Sequence, residues 1–188
     1  MLVVADARET VLQILPHGGQ GMEIGVWRGV FSGRILQVAK PSVLHLVDPW
    51  RRADPGFHDG AWYGATSVSQ EDMDATYEAV KKKYVRAIAT KKVVIHRAAS
   101  TEVLRSFRDE SLDFVYIDGD HAYDAVLADL KGAFRVTRPG GHICGDDYSL
   151  GSWWKDGVVR ALHEFVATHA VIIRLAMGTQ FVLKKLEK

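Results

Sequence analysis

The sequence predicts an α/β protein: an open, mostly parallel sheet with helices packed against it. Two observations carry this. Five short apolar runs alternate with segments of helical periodicity. The chain then finishes in two further runs, Val171-Ile-Ile-Arg-Leu175 and Gln180-Phe-Val-Leu-Lys184, with only Ala176-Met-Gly-Thr179 between them. That gap is too short for a helical crossover, so the last pair is expected to form an antiparallel hairpin.

Asp6 to Leu15 reads as a short helix with Val11, Leu12 and Leu15 on one face, stopped by Pro16. Gly18-Gly-Gln-Gly21 is a turn and Met22-Glu-Ile24 the first strand. Gly25-Val-Trp-Arg-Gly29 is a loop ahead of a helix from Phe31 to Lys40, which Pro41 ends. Val43 to Val47 is the second strand and runs into Asp48-Pro-Trp50. Arg51 to Val68 is irregular. Ser69-Gln-Glu-Asp72 resembles a capping box with Asp in place of Glu or Gln, and Met73, Tyr77, Val80, Tyr84 and Ile88 continue it as one helical stripe. Lys92 to His96 is the third strand. Ser100 is placed to cap the helix carrying Val103, Leu104 and Phe107. Leu112 to Ile117 is the fourth strand, and Tyr123, Val126, Leu127, Leu130 and Phe134 mark an amphipathic helix. Pro139-Gly-Gly141 reads as a turn and His142 to Gly145 as the fifth strand. Val158, Val159, Leu162, Phe165 and Val166 mark the helix before the hairpin.

A length of 188 residues favours a single domain over 1–188 with a substantial core. A net charge of +1 gives no bulk attraction to nucleic acid or to a membrane. Lys81-Lys82-Lys83 and Lys91-Lys92 read as solvated surface. Cys144 is the one cysteine, which excludes an internal disulfide; in a buried strand it is expected to be inert. No apolar stretch approaches membrane-spanning length, and Met1 to Asp6 is too short and lacks the basic flank of a signal peptide. A cytoplasmic protein is the expectation.

The chemistry concentrates at the ends of the apolar runs. The fourth strand ends in Tyr116-Ile-Asp-Gly-Asp-His121 and the fifth in Gly145-Asp-Asp-Tyr148. Two strands joined through a helix should be parallel neighbours, so Asp118, Asp146 and Asp147 are expected to crowd at one sheet edge. Three such carboxylates repel unless something positive sits among them, and all-oxygen ligation suits a hard cation such as Mg²⁺. At the first strand, Gly25 and Gly29 flank Val26, Trp27 and Arg28. This is not the G-x-G-x-x-G that lets a backbone approach a pyrophosphate, and it suits a nucleoside without phosphate. Asp48 is placed to accept hydrogen bonds from both ribose hydroxyls; the bland alternative is a turn-forming Asp before Pro49.

Taken in order, Glu23-Ile-Gly-Val-x-x-Gly29, Val47-Asp-Pro-Trp50, Phe114-Val-Tyr-Ile-Asp-Gly-Asp-His-x-Tyr123, Arg138-Pro-Gly-Gly141 and Gly145-Asp-Asp-Tyr148 resemble the class I S-adenosylmethionine-dependent methyltransferases. They most resemble the small metal-dependent O-methyltransferases, the branch that includes macrolide-sugar methyltransferases and relatives of the cephalosporin-biosynthesis protein. The likeness runs from about Met22 to the C-terminus. It implies a three-layer, Rossmann-like methyltransferase sheet of order 3-2-1-4-5-7-6 with one antiparallel strand. It also implies S-adenosyl-L-methionine as cofactor, with Glu23, Gly25 and Gly29 around its methionine part and Trp27 in the same loop. Asp48 would take the ribose; Ala98, Ala99 and Ser100 would border the adenine, where the family often has an acidic residue that this chain lacks. Asp118 would serve both cofactor and metal, with Asp146 and Asp147 as the other metal positions. Relatives carry Asp, Glu or Asn at the last two.

Methyl transfer to oxygen needs a nucleophilic oxygen, and a base nearby can take its proton. His121, three residues after Asp118, stands where metal-dependent relatives have a Lys or His proposed as that base. The alternative is a helix-capping histidine or one that supports a metal ligand. Asp120 could orient His121 or support the metal. His96, His142 and His163 read as packing residues, and His58 as a surface residue that could touch substrate. Trp50, Phe57, Trp62 and Tyr63 lie in a segment without helical or strand period, which suggests a lid or substrate wall, with Trp153-Trp154 opposite; core packing or a subunit contact is the alternative. The acceptor is expected to be a small hydroxylated molecule, a sugar or vicinal diol, in a pocket that is open or completed by a second copy in a homo-oligomer. A metal-dependent hydrolase or hydroxylase, or a non-catalytic cofactor-binding subunit, are the rival readings.

Overall fold

The computed structural model describes residues 6–53, 56, 58, 60–151 and 153–187, so the expectations for residues 1–5 and for Phe57 lie outside the described residues. The elements are α1 (Ala7–Ile14), β1 (Gln20–Ile24), α2 (Val30–Val38), β2 (Val43–Val47), a 3-10 turn (Trp62–Gly64), α3 (Gln70–Lys83), α4 (Val85–Ala89), β3 (Val93–His96), α5 (Ser100–Ser106), β4 (Leu112–Ile117), α6 (Tyr123–Val136), β5 (Thr137–Gly145), α7 (Gly157–Thr168), β6 (Val171–Met177) and β7 (Gln180–Lys185). The strands form one sheet in the order β3-β2-β1-β4-β5-β7-β6. β1 to β5 pair parallel, and β7 is antiparallel to both β5 and β6. The terminal hairpin and the strand order are those expected.

Two apolar clusters lie on opposite sheet faces and make three layers. One joins α1, α2, α3 and α4 to the sheet through Leu12, Ile35, Met73, Val80 and Phe114. The other joins α5, α6 and α7 through Leu104, Leu130, Phe165 and Val115. β4 feeds both, because alternate side chains point to opposite faces and both faces are covered. Among the described residues, no helix is long and apolar enough to cross a membrane.

Three local expectations change. Pro139-Gly-Gly141 is not a turn between elements but an irregular entry inside β5: Leu112 pairs with Thr137, Phe114 already with His142, and Gly140 at φ 77 absorbs the excess chain. The proline lacks the N–H a regular ladder would need there. The stripe from Met73 to Ile88 is broken at Tyr84 (φ −103, ψ 15), where α3 ends and α4 begins. The Ser69–Asp72 capping box is present, with both reciprocal bonds formed. Ser100 is not a cap. Ala99 holds that position, and the Ser100 hydroxyl donates to Asp129 Oδ1 at 2.6 Å.

Candidate active site

The carboxyl ends of β1, β2 and β4 are laced together. The Gly25 N–H donates to the Val47 carbonyl at 2.9 Å and the Asp118 N–H to the Ile24 carbonyl at 2.8 Å. The Asp146 N–H donates to the Ile117 carbonyl at 3.1 Å, which adds the end of β5. Above this edge opens a cleft of about 1270 Å³.

Gly25 sits at φ 86 with its Cα against the Asp118 backbone, and Gly29 at φ 62 opens α2. The Gly29 carbonyl accepts from Lys83 Nζ at 2.6 Å and from the Tyr84 hydroxyl. Trp27 between them is 41% exposed and packs on Trp62 at 5.1 Å, while its carbonyl accepts from Trp50 Nε1 at 2.9 Å. Trp50 is packed into the core at 1% exposure and also borders the cleft.

Glu23 lines the cleft but is 1% exposed and takes a hydrogen bond from the Ser32 hydroxyl. Burial pushes its carboxyl up to about 8; the Ser32 bond opposes this, and the Asp118 and Asp48 charges add to it. A cation arriving beside it would restore its ionisation.

The Asp48 carboxylate is fixed by three backbone donors. Oδ2 accepts from Val26 N–H at 3.0 Å and Trp27 N–H at 2.9 Å, and Oδ1 from Trp50 N–H at 2.7 Å. Burial raises its pKa against these bonds. One in-plane lone pair on Oδ1 is left for a ligand hydroxyl. Ala99 and Ser100 border the same cleft, and so does Asp129 from α6.

At the far end the structure gathers Asp118, His121 and Asp147, whose ligand-type atoms lie within 4.8 Å of one another. His121 Nε2 is 3.2 Å from Asp147 Oδ2 and 3.7 Å from Asp118 Oδ1. The imidazole is half-buried, and its Nε2 is in ion-pair contact with Asp147. Burial opposes the charged imidazole, but Asp118, Asp147 and Asp120 outweigh it and hold the pKa above the usual value. Burial also raises Asp118 and Asp147, with His121 opposing.

Asp146 stands apart from that trio. Its Oδ2 pairs with Arg8, and its Oδ1 accepts from the Thr179 hydroxyl and from Asp147 N–H at 2.7 Å. Burial would raise its pKa, yet these donors hold it below the usual carboxylate range. Arg8 also reaches Asp118 Oδ2 at 3.2 Å. The positive charge that the acidic cluster requires is therefore partly supplied by α1. Sequence reading missed Arg8, whose partners lie 110 and 138 residues away. It also missed Asp129, which looks like an ordinary helix carboxylate.

Two carboxylate oxygens and an imidazole nitrogen, all within 4.8 Å of one another, fit a divalent cation. The nitrogen makes Mn²⁺ as suitable as Mg²⁺. Asp120 does not orient His121: Oδ2 pairs with His58 Nε2 at 2.8 Å, and Oδ1 accepts from Ala122 N–H at 2.9 Å. His58 consequently lies in the cleft wall rather than on open surface. Trp153 and Trp154 join that wall. Of the remaining histidines, His96 bonds His45 at 3.0 Å, and His163 bonds the Tyr148 hydroxyl at 2.8 Å.

With one lone pair left, Asp48 can accept in plane from one ribose hydroxyl rather than the two expected, and replacing it by alanine is expected to weaken S-adenosylhomocysteine binding by about ten- to a hundredfold, the size of one lost charge-assisted hydrogen bond. Calorimetry on a variant with an unchanged circular dichroism spectrum checks this. Unaltered affinity would leave Asp48 a brace for the loop of Val26 and Trp27.

Solved structures share the fold at low identity. A candidate rRNA methylase from Clostridium thermocellum superposes with a TM-score of 0.69 at 10% identity, covering 100% of this chain and 99% of that one. Precorrin-6y C5,15-methyltransferase from Geobacter metallireducens gives 0.64 at 15% identity over 98% and 90%. A SAM-dependent methyltransferase from Aquifex aeolicus gives 0.58 at 14% over 94% and 87%. Among curated proteins, uncharacterized protein R132 of Acanthamoeba polyphaga mimivirus is 36% identical over 56 residues, which is 30% of this chain and 25% of that protein's length. The methyltransferase-domain family matches residues 22–148. With the cleft, the strand order and this match together, the chain belongs to the methyltransferase-domain family and carries the fold of the S-adenosylmethionine-dependent methyltransferases.

Proposed function

We propose that the protein is an S-adenosylmethionine-dependent O-methyltransferase that methylates a hydroxyl of a small molecule, a sugar or vicinal diol, with the help of a divalent cation. The observation that carries this reading is the half-buried His121 imidazole, held between Asp147 at 3.2 Å and Asp118 at 3.7 Å, with His121 and Asp118 lining the cleft. When bound, the cofactor supplies a methyl group on a sulfonium, and the cation lowers the pKa of the acceptor hydroxyl.

The chain's own residues do the rest. Asp48 and the Gly25–Gly29 loop seat the nucleoside. His121 Nε2 takes the acceptor proton as the oxygen gains the methyl group. The aromatic walls exclude water from the reacting centre. Asp118 and Asp147 would hold the cation. Asp146 reaches it only if Arg8 releases its carboxylate. A net charge of +1 supplies no strong bulk attraction to a polyanionic acceptor.

A second reading of His121 has an observation behind it. The same Nε2 that would accept the proton faces both carboxylates, so it can serve as a third ligand instead.

Mn²⁺ titration followed by electron paramagnetic resonance is expected to show one bound ion per chain. Asp118→Asn and Asp147→Asn should weaken it by at least about tenfold, with Asp146→Asn weakening it less. Labelled S-adenosylmethionine offered with sugars, catechols and diols should give acceptor-dependent S-adenosylhomocysteine that is lost on chelation. Full turnover after exhaustive chelation would remove the cation from the mechanism. Acceptor hydrolysis or hydroxylation without methylated product would favour the rival enzyme classes.

A further inference from the structure

The acidic cluster at the reacting end holds a positive charge of the chain's own. Arg8 projects from the first turn of α1, and a single guanidinium nitrogen, Nη2, serves two carboxylates: it donates to Asp146 Oδ2 and, at 3.2 Å, to Asp118 Oδ2. Nε and Nη1 make no hydrogen bond among the described residues, so the planar fork that makes arginine–carboxylate pairs tight is not used. The helix beneath is fixed independently of this contact. Val11 and Leu12 are fully buried, and Glu9 takes Nε and Nη2 of Arg34 at 2.8 and 2.7 Å. The Arg8 side chain is 44% exposed and that of Asp146 only 4%. Arg8 can therefore swing into solvent without moving α1. Asp146, held at Oδ1 by the Thr179 hydroxyl and the Asp147 N–H, cannot follow it.

We propose that Arg8 is the resident counter-ion of this cluster and is exchanged for the divalent cation: the ion enters by displacing the guanidinium, and Asp146 then becomes its third carboxylate. The inference rests on the cation reading above and deepens it. Asp118 is the shared element, with Oδ2 toward Arg8 and Oδ1 toward His121 at 3.7 Å. A cation held by Asp118, His121 and Asp147 would lie beside a like charge, at a range where little water screens the repulsion. If Arg8 leaves, Asp146 becomes a buried carboxylate without a counter-charge, which is costly unless the ion takes it over. The exchange also selects for charge. A monovalent ion brings no more charge than the guanidinium it displaces, whereas a divalent ion brings twice as much. Asp146→Asn then has two opposing effects in the wild type: it loosens Arg8, and it removes a ligand. Without the Arg8 charge only the loss remains.

Mn²⁺ affinity of the full chain, read by electron paramagnetic resonance, tests this. Arg8→Met keeps most of the stem and removes the charge. It is expected to tighten Mn²⁺ about tenfold or more. In that background Asp146→Asn should weaken Mn²⁺ about tenfold, against about threefold or less in the wild type. Arg34→Met is the control for bulk charge. Arg34 pairs with Glu9 rather than with the cluster, and its loss should move Mn²⁺ affinity by less than about threefold. Unchanged or weaker binding by Arg8→Met, equal tightening by Arg34→Met, or the same Asp146→Asn effect in both backgrounds overturns the inference and leaves the cation reading in place. Binding of Mn²⁺ by neither the wild type nor Arg8→Met overturns the cation reading itself, and the exchange with it. The wild type supplies a test that does not depend on how the variants fold. Crystals soaked with Mn²⁺ should show the ion on Asp118 and Asp146 with Arg8 turned away. An ion bound with the Arg8–Asp146 pair intact overturns the inference.

Discussion

His121→Ala is expected to slow the chemical step by about 10²–10⁴ while S-adenosylhomocysteine affinity stays within a few fold, the pattern of a lost general base. The sign of the pH dependence follows from the structure. Only the neutral imidazole accepts a proton, and Asp118, Asp147 and Asp120 overcome burial to hold the His121 pKa above the usual histidine value. In the cation-free protein the imidazole should therefore lose its proton, and become able to act as a base, only as pH rises past that value. Stability runs the other way. A histidine whose pKa is raised on folding contributes stability that is fully present below its unfolded pKa and is lost as pH rises through the folded one. The protein thus gives up a little stability in the range where it becomes active. A cation seated at Asp118 and Asp147 would offset the field that holds the proton and shift the limb to lower pH. An NMR titration of the cation-free imidazole, and single-turnover kinetics across pH with Mn²⁺, measure the two limbs. If instead His121→Ala abolishes Mn²⁺ binding, the imidazole is a ligand; if the rate at neutral pH is that of the wild type, it is structural and the base assignment fails.

How much of this was legible in the sequence depends on the range of the interaction concerned. The strands of the parallel core were readable because each carries a short, mainly apolar stretch between turn signals, and the hairpin because four residues cannot carry a crossover. Asp48, Asp118, Asp146 and Asp147 were readable because they end those runs, and strand ends in a parallel sheet meet at one edge. What stayed hidden were contacts that only the assembled layers create. Nothing local marks Arg8 as the cation that pairs with Asp146 and Asp118 from α1. Asp146 and Asp147 are adjacent in sequence, yet one turns to Arg8 and Thr179 and the other, at φ 57, to His121. Local rules also lost where tertiary packing was stronger. Ser100 gives up a cap to bond Asp129, and Pro139-Gly-Gly141 is drawn into β5 because its flanks pair with β4. The aromatic segment was recognisable as aperiodic, but its union with Trp153 through His58 was not.

The largest stability effect is expected at Gly25. Gly25→Ala would place Cβ 1.8 Å from the Asp118 carbonyl oxygen, 2.3 Å from its carbon and 2.7 Å from Gly119 N, at a φ of 86 that L side chains rarely adopt. Every one of those atoms is backbone, so no rotamer change relieves the overlap. Strain at such a φ costs about 1–3 kcal/mol, and overpacking adds about 1–3 kcal/mol. Together they should lower Tm by roughly 5–20 °C for a chain of this size. The alternative to unfolding is to push the Asp118 segment away, which breaks its N–H bond to Ile24 and moves a carboxylate of the proposed cation site. Binding of Mn²⁺ should then fall even in whatever fraction remains folded. Gly29→Ala is the control. Its φ of 62 is strained too, but the added Cβ meets only the Tyr84 ring at 3.0 Å and Val80 methyls at 3.6 Å, which can yield. About 1–2 kcal/mol is expected there. Thermal unfolding of both variants decides the matter. If Gly25→Ala melts within a degree or two of Gly29→Ala and still binds Mn²⁺ normally, then Gly25 is a permissive loop residue. The close approach of the first loop to Asp118 would then not be what aligns the nucleoside end of the cleft with its reacting end.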